Sequence, residues 1–477
     1  MAAEDRVQLL GLDFGSTTSR AAAATARLVR THGGARVELQ DVELVYRAPV
    51  ELTPYHDPGA ALDLDRVQQL LEGWLRAAAV EPQRLLGGGA LITGLAARSP
   101  NARALAALLR QRLGPCMVAT AADPCLEAWV AFMAGCLALS RAHPTQRLLN
   151  FDIGGGTTNL AAGQAGAVLA TASLRIGARH IQVRPGSYQI TALSDLGHAL
   201  LQAHGIAHRV GGSLSAAEVA AVVALQVQAL EAAAAGDLGF FAQPIARLYL
   251  ETALPPAPAP VRTAYTFTGG VGELVYQCLA GEPLPPVTAY GDLGIDLAQA
   301  IARSPTLLPR GAPRYVPSER ALATVQGMLL HGTELSGTTL YLPRPEVLPL
   351  CDLPIVARLD AGSSPAELAA AVRLAAGCSA GAGLHVVSGC ATLAEVRALT
   401  ARLRQALSEP PFPPHVPLVF LLTDNTGKLF GSYLTGWGRA PLQVLVLDEV
   451  SSRPMSFVNL GALRGQVVPV SFYGMSR

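Results

Sequence analysis

Two stretches of this 477-residue chain place the same residue types in the same order. "GLDFGSTTSR" occupies residues 11–20 and "NFDIGGGTTN" residues 150–159. Each runs from apolar residues into an aspartate, Asp13 or Asp152, and reaches a glycine two positions later, Gly15 or Gly154. Hydroxylated residues follow: Ser16, Thr17 and Thr18 in the first stretch, Thr157 and Thr158 in the second, where Gly155 and Gly156 intervene. Thr17 and Thr18 then correspond roughly to Thr157 and Thr158. A turn needs one or two glycines, and glycine in series costs backbone entropy. The run therefore points to something that approaches the backbone closely. A hairpin with such a tip offers N–H groups and hydroxyls to an anion. An aspartate at the strand end cannot bind phosphate directly. It can hold Mg²⁺, usually through water, and the cation neutralises phosphate oxygens. Two such hairpins face to face would clamp a polyphosphate from both sides.

A third stretch, "TFTGGVGEL" at 266–274, reads as a strand feeding Gly269 and Gly270 and then a helix carrying Glu273. Paired glycines here would let a flat adenine or a ribose lie against backbone. The expected site is thus one for ATP and Mg²⁺. Asp13 and Asp152 are its metal-holding and catalytic residues. Gly15, Ser16, Thr17, Thr18, Gly154, Gly155, Gly156, Thr157, Thr158, Gly269, Gly270 and Glu273 are its nucleotide contacts. Valine at Gly155 is expected to harm nucleotide affinity more than stability.

The elements that must position these loops follow from pattern. Strand, turn and strand are expected from Val7 through residue 24, a strand near 37–45, and a helix over 64–79 with Val67, Leu70, Leu71 and Leu75 on one face. Residues 150–153, 159–162 and 167–174 read as a meander. Capping boxes begin helices at Ser215, Ser364 and Thr392, each with a glutamate three positions later. "LPPAPAP" at 254–260 is a stiff connector. Strands alternating with helices beyond residue 341 imply a further α/β layer. The organisation expected is a first lobe over 1–145, a second over 146–340 and a C-terminal α/β segment over 341–477.

Composition narrows the classes. Half the residues are hydrophobic and 15% are charged, enough for large cores, and the length suits about three domains. A net charge of +1 gives no footprint for nucleic acid or an anionic membrane. No run reaches the eighteen or so uninterrupted apolar residues of a membrane span. The acidic start and short apolar run of "MAAEDRVQLLGLDFG" do not read as a signal peptide. Seven cysteines, an odd number without a C-x-x-C pair, read as reduced thiols in a cytoplasmic protein.

The three glycine-bearing loops resemble the phosphate-1, phosphate-2 and adenosine motifs of the actin-like ATPase superfamily, which includes Hsp70 chaperones, sugar kinases and actin. That resemblance implies two RNase H-like lobes around a nucleotide cleft, with linking helices near 123–135 and 320–337. Five further passages narrow it: "ITGLAAR" (92–98), "RIGARHI" (175–181), "HGTELSGTTLYLP" (331–343), "PLCDLPI" (349–355) and "GQVVPV" (465–470). These resemble the ethanolamine ammonia-lyase reactivating factor family. The chain departs from that pattern at Leu95, where a Glu is expected, at Ala178, where a Gly is expected, and at its C-terminus. The family implies a chaperone-like, weak ATPase that lets intact adenosylcobalamin replace damaged cobalamin in ethanolamine ammonia-lyase. It also implies a cytoplasmic location, with association with a bacterial microcompartment, and with further copies of the chain, left open. Two alternatives share the cleft. A sugar or acid kinase would need an aspartate base, for which Asp123 and Asp292 can be named. An actin-like filament protein would need self-complementary lobe faces. Lys428 in "TDNTGKLFG" lacks phosphate-loop spacing and reads as part of a helix-opening turn. Glu334 and His331 read as lining the return to the first lobe.

Overall fold

The computed structural model describes residues 6–30, 37–56, 61–113, 118–121, 124–254, 263–408, 411–453 and 455–475. Asp123, Cys116 and most of the proline-rich connector lie outside them.

The first sheet is built on the strand Arg6–Phe14. It pairs antiparallel with Thr18–Arg30, which pairs antiparallel with Val37–Arg47. On its other side lie Leu85–Ile92 and then Val118–Ala121, both parallel. The second sheet repeats the plan. Arg147–Ile153, Thr158–Gln164 and Ala167–Leu174 form an antiparallel meander. Thr263–Thr268 then joins Arg147–Ile153 in parallel, and Leu250–Thr252 adds an outer edge. A meander followed by a parallel strand on its first strand is the RNase H-like order. Two such lobes make this the actin-like ATPase fold.

Two helices join the lobes, and each rests on the sheet of the other lobe. Helix Pro124–Gly135 leaves the first lobe and packs Ala128 and Phe132 on Leu148 and Ala161 of the second. Helix Ala323–His331 returns and packs Val325 and Leu329 on Leu9, Ala22, Ala24 and Ala26 of the first. Alanine is a poor strand former by propensity. Here a run of alanines leaves a shallow sheet face on which a helix can lie close. The two helices cross where Gly327 meets Val130, and a Cβ on Gly327 would lie 2.1 Å from the Val130 carbonyl oxygen.

A third sheet forms mostly beyond residue 341, with Thr333–Leu335 at its edge. Its strands Leu350–Leu359, Ala382–Val386, Leu418–Leu422 and Val444–Leu447 run parallel, with helices Pro365–Ala376, Leu393–Ser408 and Gly427–Leu434 between them. Thr333–Leu335, Pro469–Met475 and Met455–Leu460 extend it antiparallel. Its inner face, with Val419, Leu421, Val458 and Phe472, shares one core with Leu126, Val130 and Met328 of the crossing helices. The third sheet therefore sits on the linkers between the lobes.

Capping boxes are present at Ser215–Glu218 and Ser364–Glu367, and Thr392 and Glu395 exchange the same bonds. Helix Ala216–Ala235, which the first of these opens, is by length and composition apolar enough to cross a membrane. It buries Val219, Val222, Val223 and Leu230 in the second-lobe core. Among the described residues, Cys125, Cys136, Cys278, Cys351, Cys378 and Cys390 form no disulfide.

Candidate functional site

The register of the two hairpins fixes their correspondence. Phe14 pairs with Ser19, and Ile153 with Thr158, so the tips are residues 15–18 and 154–157. Each tip closes with the same bond: Gly15 N–H donates to the Thr18 carbonyl at 3.0 Å, and Gly154 N–H to the Thr157 carbonyl at 2.9 Å. Thr18 therefore matches Thr157, and Thr17 matches Gly156. This shifts the threonine pairing read from sequence by one position. Thr158 belongs to the strand; its hydroxyl donates to the Ile176 carbonyl at 2.9 Å inside the lobe.

The carbonyls of both tips are held away from the cleft. In the first, the Gly15 carbonyl accepts from Thr53 Oγ1 at 2.7 Å, the Ser16 carbonyl from Tyr55 Oη at 3.3 Å, and the Thr17 carbonyl from Thr53 N–H at 3.0 Å. In the second, the Gly154 and Gly155 carbonyls accept from Ala178 and Arg179 N–H at 3.2 and 2.6 Å. The Gly156 carbonyl lies 2.8 Å from His180 Nε2. That contact requires the proton on Nε2, so Nδ1 accepts from the Ser194 hydroxyl at 2.8 Å. Burial keeps this imidazole neutral, with its pKa lowered to about 4.

The tips enclose a cavity of about 310 Å³. It is lined by Asp13, Gly15, Ser16, Thr17, Thr18, Asp152, Gly154, Gly155, Gly156, Thr157, Gly269, Gly270 and Glu273, so every residue expected at the site except Thr158 converges there. Sequence reasoning missed Arg20, Thr93, Glu127, Tyr290 and Thr324 on the same wall. Arg20 had a signal: it stands directly across the hairpin from Asp13, so both side chains share one face. The others come from separate elements, and no local pattern joins them to the loops. Glu334 lies elsewhere. It accepts from Ser451 N–H at 3.1 Å and from Arg453 at 3.2 Å in the third-sheet region.

The glycines have unequal reasons. A Cβ on Gly155 would lie 2.2 Å from Thr17 Oγ1, and one on Gly156 2.6 Å from Ser16 Oγ. The hairpin tips thus touch each other across the lobes, and valine at Gly155 would wedge them apart. Such a change would therefore cost stability as well as affinity. Gly269, at φ 81°, is required by the neighbouring strand, whose Ile153 carbonyl oxygen would lie 2.5 Å from a Cβ there. Gly270 opens toward the cavity, where a Cβ would lie 3.8 Å from Arg20 Nη2.

Charge in the cavity is lopsided. Among the described residues, Asp13, Glu127, Asp152, Glu273 and Asp292 line it against the guanidinium of Arg20, although Glu273 is paired with Arg320 at 3.0 Å. Burial, with Asp152 nearby, pushes Asp13 up to about 7 against the pull of Arg20 and a Thr93 bond. Burial also raises Asp152, opposed by hydroxyl bonds from Thr268 and Thr324 and by Arg20. Asp292 is pushed up to about 6 by burial, opposed by the Gly294 N–H. Thr17 Oγ1 and Arg20 Nε are buried and lack a hydrogen-bond partner. Unpartnered buried donors beside raised carboxylates fit an anion that arrives with a cation. Among the described residues no group of three or more His, Cys, Asp or Glu is placed to hold a metal alone. Two aspartates sharing Mg²⁺ with phosphate oxygens suit that arrangement.

Comparison with known proteins finds relatives over nearly the full length. The ethanolamine ammonia-lyase reactivase EutA of Escherichia coli (strain K12) is 30% identical over 473 residues, 97% of each chain. The protein of the same name from Salmonella typhimurium is 29% identical over 476 residues, also 97% of each. Among solved structures, an Aquifex aeolicus member of the Ppx/GppA family aligns with 14% identity and a TM-score of 0.37, covering 68% of this chain and 97% of that one. The family described as ethanolamine utilisation protein EutA matches residues 5–475, and the chain belongs to it.

Proposed function

We propose that this protein is an ATP- and Mg²⁺-dependent reactivating factor for ethanolamine ammonia-lyase, promoting exchange of damaged cobalamin for intact adenosylcobalamin. The observation that carries the nucleotide part is the pair of matched hairpins, with their carbonyls tied back and their tips lining one acidic cavity. The client follows from the family and from the name its curated relatives bear.

Asp13 and Asp152 would hold the cation, one from each lobe. When bound, Mg²⁺ supplies the positive charge that lets a polyphosphate enter an acidic cleft. The amides of residues 16–18 and 155–157 would orient the phosphates, and Arg20 and Thr17 would donate to them. Gly269, Gly270 and Glu273 would line the nucleoside end. Because both lobes would grip the same phosphates, loss of the γ-phosphate weakens the closed state.

The path out of the cleft supports a motor rather than a stand-alone hydrolase. Helix Pro124–Gly135 lines the cavity with Glu127 and carries Trp129 under the Arg453 guanidinium, 4.7 Å from the ring centre. Helix Ala323–His331 places Thr324 3.4 Å from Asp152 and sets His331 edge-on to Trp129 at 6.4 Å. Glu334 then binds Arg453. Both helices thus lead from the phosphate end to one residue of the third-sheet region.

The test is recovery of lyase activity after the cyanocobalamin-blocked enzyme is incubated with this protein and adenosylcobalamin. Recovery is expected only with hydrolysable ATP and Mg²⁺ together. Equal recovery without nucleotide, or none under any nucleotide condition, would falsify the reading. Measuring ATP hydrolysis with no phosphate acceptor in the same samples separates it from a kinase.

A further inference from the structure

We propose that Thr268, Asn150 and Thr266, with Cys136 at the far end, form a one-way hydrogen-bond chain that positions Asp152 for its cation. The proposal rests on the Mg-nucleotide reading above and extends it to residues that do not touch the cavity's metal position.

The chain follows from the strand register. Thr263–Thr268 lies parallel to Arg147–Ile153, with Thr266 beside Asn150 and Thr268 beside Asp152. Side chains alternate along a strand, so these four polar residues share one face. Phe151 and Phe267 stack on the other, with ring centres 5.7 Å apart. All four polar side chains are buried, at 0% exposure for Asn150, Thr266 and Thr268 and 5% for Asp152. Such a face is costly unless every group is bonded.

The bonds run in sequence. Thr268 Oγ1 donates to Asp152 Oδ1 at 2.7 Å, and Asn150 Nδ2 donates to Thr268 Oγ1 at 2.9 Å. Thr266 Oγ1 donates to Asn150 Oδ1 at 3.0 Å, and Cys136 Sγ lies 3.3 Å from Thr266 Oγ1. A carboxylate only accepts, so Thr268 must give its single proton to Asp152. Its oxygen is then an acceptor, which fixes the Asn150 amide with its NH₂ toward Thr268. Asn150 Oδ1 in turn requires the Thr266 proton, and Cys136 is left as the donor to Thr266. Every donor points toward Asp152. Bonds aligned in this way polarise one another, and partners behind a metal-holding carboxylate set its orientation and charge. Asp13, by contrast, receives a longer bond, from Thr93 at 3.3 Å.

The test replaces Mg²⁺ by Mn²⁺ and reads its binding by electron paramagnetic resonance in the presence of a non-hydrolysable ATP analogue. Thr266→Val keeps the shape but breaks the chain, whereas Thr266→Ser keeps the hydroxyl. Mn²⁺ is expected to bind about tenfold more weakly to Thr266→Val and normally to Thr266→Ser. Analogue affinity in EDTA should be alike in all three proteins. Normal Mn²⁺ binding by Thr266→Val, or equal weakening in both variants, overturns the positioning role. If Thr266→Val does not fold, Cys136→Ala against Cys136→Ser asks the same question one bond further out, and equal binding by that pair overturns it. Absence of Mn²⁺ binding by the unaltered protein would instead overturn the Mg-nucleotide reading itself.

Discussion

The two phosphate hairpins are the same device supported in different ways. Both present an aspartate, a closing bond from glycine N–H to threonine carbonyl, and three tip carbonyls bonded to a neighbouring segment. The supports share no sequence: Thr53 and Tyr55 serve the first hairpin, and Ala178, Arg179 and His180 the second. Asp13 has a cation directly across the strand pair, in Arg20. Asp152 has Asn159 at that place and relies on neutral donors from Thr268 and Thr324. The lesson is that the backbone arrangement was kept while the means of tolerating a buried carboxylate diverged. The first lobe relies mainly on an opposing charge, the second mainly on a fixed set of hydroxyls.

Removing the carboxylates should have the largest effect. Asp13→Asn and Asp152→Asn are each expected to cut Mg-dependent ATP hydrolysis by about a hundredfold or more. Burial raises the pKa of both groups, so their ionised forms disfavour folding. The neutral amides should therefore leave the melting temperature of the nucleotide-free protein unchanged or higher. A lower melting temperature in both would mean that the carboxylates are structural.

Next in size is the contact between tips. Gly155→Val should destabilise the protein by about 1–3 kcal/mol through overpacking against Thr17. It should weaken ATP binding as well. Gly15→Ala, whose Cβ would sit 3.0 Å from the Thr18 carbonyl oxygen, should be milder. Denaturant melts and calorimetric titration of ATP read both effects, and equal costs would erase the asymmetry.

The supports differ in their response to acid. His180 is neutral in the folded protein down to about pH 4, but an unfolded histidine takes up a proton near 6.5. Acid therefore favours the unfolded state between those values, and the stability His180 contributes is lost as pH falls from about 6.5 to 4. The full loss is about 3 kcal/mol. Urea melts of His180→Gln should fall less steeply over that window. His331 and His385, also lowered to about 4 by burial, should leave part of the slope in place. The smallest effect belongs to Thr158→Val, which loses one bond worth about 1 kcal/mol and should leave ATP affinity intact. Thr157→Val, at the tip, should lower that affinity.

Much of this was readable because it is local. Aspartate, glycine and hydroxyl spacing marks a hairpin tip, and capping boxes mark helix starts within four residues. The polar, aromatic, polar order of Asn150-Phe151-Asp152 and Thr266-Phe267-Thr268 also stands in the sequence. Its meaning depends on those strands being neighbours, which no local rule states. The same holds for Thr53 and His180, whose bonding partners lie 38 and 24 positions away. The exchange of linking helices between lobes was hidden for a similar reason. A helix leaving one sheet shows an apolar face without indicating which sheet will cover it. The one-position error in pairing the threonines arose because Gly155 and Gly156 occupy the tip positions that Ser16 and Thr17 hold in the first hairpin.

The central claim is that both hairpins act on one shared Mg-nucleotide. Calorimetric titration of Mg-ATP into Asp13→Asn, Asp152→Asn and the double variant tests it most directly. Two groups holding one cation should be strongly non-additive, so the double variant should lose less affinity than the two single losses summed, by about 1 kcal/mol or more. Strictly additive losses, or unaltered affinity in either single variant, would contradict the account.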